Sequence, residues 1–107
     1  MPFPSELKQA LLAFGFDDKE AVIYLAGLER ESATVLDVAR RTNLARTTIY
    51  PIIENLRRRG YFRLKKSKGH SYYIAERPEM FLRKLEERQK TFEAILPLLS
   101  SLQGTSH

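Results

Sequence analysis

Between Arg46 and Tyr50 the chain places an arginine, two threonines (Thr47 and Thr48) and a tyrosine within one short run. An arginine fork donates two parallel hydrogen bonds to a guanine edge or a phosphate, and threonine and tyrosine hydroxyls serve bases and phosphates alike. Lys65, Lys66 and Lys68 follow, compact positive charges suited to phosphate. From Thr34 to His70 ten basic residues stand against two acids, Asp37 and Glu54, a local charge of +8. The remainder of the 107 residues carries −3, so the net +5 belongs to the middle third. Such a segment suits a polyanionic partner; a merely solvated basic face is the alternative.

Other chemistries are poorly provided for. With no cysteine there is no disulfide scaffold, thiolate zinc site, iron–sulfur cluster or thiol nucleophile. Of the two histidines, His70 and His107, the second is the last residue, so neither a His-rich metal site nor a Ser–His–acid set is expected. No glycine-rich phosphate loop occurs. The acids scatter over expected helix surfaces, where solvation and capping account for them. An enzyme is not expected, nor a metal or cofactor. No run approaches the roughly 20 apolar residues that span a bilayer. The start, Met1-Pro2-Phe3-Pro4-Ser5-Glu6, lacks the pattern of a secretory signal. A cytoplasmic, nucleoid-associated protein is expected.

The elements that must position these residues are legible from periodicity. Leu7, Ala10, Leu11 and Phe14 predict a first helix, capped by Ser5 and closed by Gly15. Asp17 and Glu20 form a capping box for a second helix, with Ala21, Val22, Leu25 and Leu28 as its apolar stripe and Tyr24 beside it. Thr34 and Asp37 open a short third helix bearing Leu36, Val38 and Ala39, broken at Thr42-Asn43. Ile49, Ile52, Ile53 and Leu56 predict a fourth helix that ends at Gly60. The period then turns from helical to alternating. Phe62 and Leu64 point one way, and Tyr61, Arg63 and Lys65 the other. A turn at Ser67-Lys68-Gly69 leads into Tyr72 and Ile74, alternating with Ser71 and Tyr73, which completes a hairpin.

On a helical wheel the fourth helix turns Thr47, Tyr50, Pro51, Glu54 and Arg58 away from its apolar side. Each has a structural alternative: Thr47 or Thr48 as a cap, Tyr50 packed on the third helix, Arg57, Arg58 and Arg59 as a solvated end favoured by the helix dipole. Pro51 is awkward in mid-helix: either the helix begins late, with Thr48 as cap and Pro51 in the first turn, which is the favoured expectation, or it kinks at Pro51 with the ring on the exposed side. His70 is expected as a wing contact or a solvated turn residue.

Pro78 predicts the first position of a last helix, which extends to about Leu102 and is bent or interrupted by Pro97. Phe81, Leu85, Phe92, Ile95, Leu99 and Leu102 fall in two heptad columns interrupted by Arg88. A helix of about 37 Å cannot bury such a seam on a small domain, so self-association is expected, folding back being the alternative.

Several runs together resemble the TrmB-type transcriptional regulators. They are Asp17-Asp18-Lys19-Glu20-Ala21-Val22-Ile23-Tyr24-Leu25-Ala26, Leu36-Asp37-Val38-Ala39-Arg40-Arg41-Thr42, Ala45-Arg46-Thr47-Thr48-Ile49-Tyr50, Ile53-Glu54-Asn55-Leu56-Arg57-Arg58-Arg59-Gly60-Tyr61 and Tyr72-Tyr73-Ile74-Ala75. The resemblance covers roughly residues 7 to 102. It implies a mainly α winged helix-turn-helix with a small β-hairpin and a long C-terminal dimerisation helix, in a largely archaeal family that binds promoter DNA as dimers. Longer members carry a C-terminal sugar-binding domain. This chain stops just after the last helix, so the resemblance gives no support for a small-molecule effector domain; it is expected to be either a naturally minimal protein, which Met1 and the polar tail favour, or a fragment of a longer one.

The expected organisation is a DNA-binding domain at 1–76, a coiled-coil-like dimerisation helix at 77–103 and a polar tail at 104–107. The recognition helix is placed at about 45–59 and the wing at about 61–75. Candidate contacts to double-stranded DNA are Thr34, Arg40, Arg41, Ala45, Arg46, Thr47, Thr48, Tyr50, Lys65, Lys66, Lys68 and His70. The alternatives are an architectural DNA coat with little sequence preference and a winged-helix protein-interaction module.

Overall fold

A computed structural model describes residues 2–104, which form α1 (Ser5–Phe14), α2 (Asp18–Leu28), α3 (Val35–Thr42), α4 (Arg46–Arg58), β1 (Phe62–Ser67), β2 (His70–Ala75) and α5 (Glu79–Gly104). The chain divides into two units, residues 1–76 and 77–107. Gly104, expected in the tail, is helical; Thr105, Ser106 and His107 lie outside the described residues.

The helix ends show what the local sequence decides. Both capping boxes form: Asp17 with Glu20 on α2, Thr34 with Asp37 on α3. At α1, however, Pro4 is the cap and Ser5 is already helical, because the Pro4 carbonyl accepts from the Leu7 N–H at 3.1 Å. Gly15 closes that helix at φ 129°, its N–H bonded to the Leu11 and Leu12 carbonyls. Asn43 closes α3 in the left-handed region at φ 62°, which asparagine tolerates well.

Helix α2 is more enclosed than its expected stripe. It packs against α1, α3, α4 and β2, so Ala21, Ile23, Tyr24, Leu25, Ala26 and Gly27 are all buried. Val22 is only half-buried and Leu28 is exposed. Tyr24, expected at the margin, is 1% exposed and donates to the Glu76 carbonyl at 2.7 Å. In α3 the inward residues are Val35 and Val38. Leu36, about 100° around the helix from Val35, is exposed.

Helix α4 does not begin late. Ala45 is its cap, in extended geometry, and its carbonyl accepts from both Thr48 and Ile49. Thr48 therefore lies inside the first turn and caps nothing, and Pro51 is the sixth helical residue. Pro51 cannot donate to the Thr47 carbonyl, but its ring is exposed, so the helix continues around it. Ile49, Ile53 and Leu56 are buried and Ile52 half-buried.

The hairpin pairs Phe62 with Ala75, Leu64 with Tyr73, Lys65 with Tyr72 and Lys66 with Ser71. Ser67 pairs with His70, so the loop is two residues, Lys68 and Gly69, at φ 50° and 79°. Two consecutive positive φ values mark the turn whose twist suits a tight hairpin. The buried residue of β2 is Tyr73, while Tyr72 and Ile74 are half-buried, because Tyr73 shares the inner face with Leu64 and Phe62. Tyr61, expected on the outer face of β1, precedes the strand and is buried, its ring edge-to-face on Phe16 at 4.9 Å. Edge-to-face contacts continue from Phe16 to Tyr24, Tyr24 to Phe62 and Phe62 to Tyr73. Ala33 adds a short third bridge, pairing with Tyr73, where only a connector was expected.

In the second unit α5 has 26 residues and passes through Pro97 without interruption. Pro78 stands just before it rather than within its first turn. Leu85, Phe92, Ile95, Leu99 and Leu102 are exposed, as are Leu82, Leu96 and Leu98; Phe81 is half-buried. No helix among the described residues is long and apolar enough to cross a membrane.

Candidate nucleic-acid interface

Three separate stretches of chain converge on one open hollow of about 600 Å³, whose lining includes Thr34, Arg46, Tyr50, His70 and Tyr72. Thr34 comes from the start of α3. Its hydroxyl accepts from the Asp37 N–H at 3.1 Å, while Asp37 accepts from the Thr34 N–H at 2.9 Å. The hydroxyl proton of Thr34 is not consumed by this cap and stays available to a partner. The Thr34 N–H holds the Asp37 carboxyl below its usual range against the opposing effect of burial, with Arg30 and Arg40 adding smaller favourable fields.

Arg46 is the first residue of α4 and exposed, and Tyr50 follows one turn later, 52% exposed. Ala45 and Thr47 are exposed beside them and Thr48 is half-buried. From the wing, His70 and Tyr72 stand edge to face at 6.4 Å. Lys65 and Lys66 are exposed on β1 opposite Tyr72 and Ser71, and Lys68 sits exposed in the hairpin loop.

The ten basic residues of the middle third sort into two groups. Arg41, Arg57, Arg59 and Arg63 form salt bridges with Glu29, Glu54, Glu20 and Glu76 at 2.6–2.8 Å. Arg40, Arg46, Arg58, Lys65, Lys66 and Lys68 are all exposed and have no salt bridge among the described residues. The segment's surplus charge is therefore concentrated at the start of α4, on the wing and at two helix ends. Arg41 stands apart from the hollow. Its fork grips Glu29 at 2.7 and 3.1 Å, and its guanidinium lies 3.9 Å above the Phe3 ring.

Glu54 departs from the wheel. It does not face outward with Tyr50 and Arg58 but accepts from Arg57 at 2.8 Å and from the Tyr73 hydroxyl. Arg57, then Tyr73, hold its carboxyl below the usual range despite burial. Burial, then Glu54, pushes the Tyr73 phenol well above its ordinary value. The sequence reading placed Glu54 outward and gave Tyr73 no role, so it did not find this contact. The available signal was register: with Leu64 inward, its cross-strand partner Tyr73 must be inward too. Among the described residues no group of three or more His, Asp or Glu could hold a metal ion.

A short helix, a tight turn, a second helix and then a basic hairpin define a winged helix-turn-helix, the fold of a large class of transcriptional regulators. The profile described as "Sugar-specific transcriptional regulator TrmB" matches residues 11–79. The chain belongs to this family of DNA-binding, non-enzymatic transcriptional regulators.

Among solved structures the chain is similar to TrmBL2, reported as an archaeal chromatin protein with a novel mode of DNA binding. The TM-score is 0.71 at 20% identity, over 94% of this chain and 40% of that one. The chain thus spans two fifths of the TrmBL2 length. It is also similar to an ArsR-like transcriptional regulator from Rhodococcus sp. RHA1 (TM-score 0.61, 17% identity, 91% and 92% of the two chains). A MarR-family regulator from the same source gives a TM-score of 0.58 at 18% identity over 92% and 78%. These likenesses bear on the fold. A search of curated proteins finds no match.

Proposed function

We propose that the protein is a homodimeric, double-stranded DNA-binding transcriptional regulator acting on the nucleoid in the cytoplasm. Helix α4 enters the major groove with Arg46, Thr47 and Tyr50 toward base edges and Ala45 and Thr48 at its mouth. Thr34 and Arg40 meet the flanking backbone from α3. Arg41 reaches it only by exchanging Glu29 for phosphate. Lys65, Lys66, Lys68 and His70 carry the wing onto the adjacent backbone or minor groove. The observation that carries this is the sorting of charge: the cations without a salt bridge include Arg46 beside the hollow and all three wing lysines, whereas four other arginines are neutralised in place.

Dimerisation takes its support from α5. Leu85, Phe92, Ile95, Leu99 and Leu102 are exposed along one stripe, with Phe81 at its head, and exposed apolar stripes of this length are ordinarily covered by a second helix. The pairing would hold two reading helices about one turn of duplex apart, ~34–36 Å.

A second reading, an architectural coat with little sequence preference, takes its support from the likeness to TrmBL2. Selection from a random duplex pool followed by footprinting separates the two. Recovery of one motif and protection of discrete sites supports the regulator; uniform protection supports the coat. No shift of any duplex in dilute buffer would sink both.

A further inference from the structure

Tyr73 joins three elements. Its backbone N–H and carbonyl pair with Ala33 at 2.7 and 2.9 Å, directly ahead of the Thr34 cap of α3. It stands on β2 opposite Leu64, its ring edge-to-face with Phe62. Its hydroxyl donates to Glu54, on α4 one turn beyond Tyr50. Glu54 also accepts from Arg57 of the same helix, so both of its neighbours draw off negative charge. A carboxylate on a helix that meets phosphates would repel them; here it is turned to the wing and neutralised. A two-stranded hairpin has little stability of its own, and its placement depends on what its inner face grips. At Tyr73 the backbone grips the segment before α3 and the side chain grips α4.

We propose that Glu54 is a positioning residue for DNA recognition: through Tyr73 it fixes the wing against α4, and so sets the spacing between the base pairs read by α4 and the phosphates met by the wing. This rests on the DNA-binding function proposed above. It makes the wing's reach depend on how the hairpin is tied to α4 as well as on the wing's own lysines.

The test uses the full chain on one selected duplex. Tyr73→Phe keeps the ring and removes the hydroxyl; Glu54→Ala removes the acceptor; Glu54→Gln keeps an acceptor for the phenol and gives up the charge facing Arg57. Each is read by thermal melting, amide exchange over residues 62–75 without DNA, affinity and hydroxyl-radical footprint. Tyr73→Phe is expected to melt cooperatively, to exchange roughly tenfold faster across the hairpin and to bind about tenfold more weakly, the scale of one charge-assisted hydrogen bond. Protections flanking the site should fade while the central ones persist. Glu54→Ala should do the same, the double variant should add little to either, and Glu54→Gln should retain most of the flanking protection.

An unchanged footprint and affinity in Tyr73→Phe would overturn the positioning role while leaving DNA binding intact. So would equal loss of flanking protection in Glu54→Gln and Glu54→Ala, since charge and not the tie would then be responsible. A wild-type protein that protects no duplex would remove the DNA-binding function itself, and the role of Glu54 with it. Should Tyr73→Phe fail to fold, the two Glu54 variants decide between these outcomes.

Discussion

Phe62 occupies the space beside Gly27 so closely that a Cβ at position 27 would lie 2.5 Å from its Cε1 and 2.8 Å from its Cζ. The wing's first strand thus presses its leading side chain onto the last turn of α2. Phe62 is 2% exposed and has nowhere to retreat. Gly27→Ala should therefore destabilise by about 1–3 kcal/mol through overpacking, despite the better helix propensity of alanine. For a domain of this size that lowers Tm by several degrees or more. A melt unchanged from wild type would show that the ring moves freely.

Pro51 offers the opposite case. Its ring is exposed and its missing N–H leaves the Thr47 carbonyl without its helical donor. Pro51→Ala restores that bond and removes no buried contact, so stability should rise by about 1–3 kcal/mol. Thermal or urea melts measure it directly; a loss of stability would mean the ring packs against something that matters.

Arg46 and the wing lysines should fail differently. Arg46→Ala is expected to reduce the ratio of specific to non-specific affinity by roughly tenfold or more, the worth of a bidentate base contact. Lys65→Ala with Lys66→Ala should weaken both kinds of binding alike and reduce the salt slope by roughly one unit per lysine. Titrations at several salt concentrations compare them. Equal effects of the two changes on the ratio would remove Arg46 as a base reader.

Acid should loosen the fold through Asp37 and Glu54. Hydrogen bonds from Thr34, and from Arg57 and Tyr73, hold these carboxyls below the ordinary 3.8 and 4.5. Folding therefore favours the ionised forms. Their contribution is complete above the ordinary values and is lost as pH falls through the lower folded-state ones. Wild-type Tm should drop as pH is lowered from 5 toward 3, and Asp37→Asn should start lower and fall less steeply. Parallel acid limbs for the two proteins would contradict this.

Phe92 lies mid-way along the exposed stripe of α5, 62% exposed. Phe92→Glu should convert a dimer into a monomer at micromolar concentration, read by sedimentation, and weaken DNA binding with it. A wild-type protein that is itself monomeric would refute pairing through this helix.

How far the sequence could be read depended on whether the deciding interaction was local. Asp17 with Glu20 and Thr34 with Asp37 are three residues apart, and both caps form as their types require. Ser5 looked equally suitable, but the chain's turn was already made by Pro4. Leu36 was expected inward and is not: α3 is eight residues long, too short for periodicity to tell Val35 from Leu36. The wheel of α4 placed Thr47, Tyr50, Pro51 and Arg58 outward, where they stand, because Ile49, Ile53 and Leu56 fix its inner side. It misplaced Glu54, whose orientation is set by Tyr73, 19 positions away. The convergence of Thr34, Arg46 and His70 on one hollow likewise depends on tertiary closure and not on any short run.

Lys68 takes φ 50° at the very tip of the hairpin, a backbone conformation that asparagine or glycine would adopt with less strain, by about 1 kcal/mol. Exchanging it for asparagine would make a sturdier loop and a less cationic one. On the DNA-binding function proposed above, rigidity and affinity are set against each other at this single position, and a search for more thermostable versions would then tend to find substitutions here that grip the duplex less firmly.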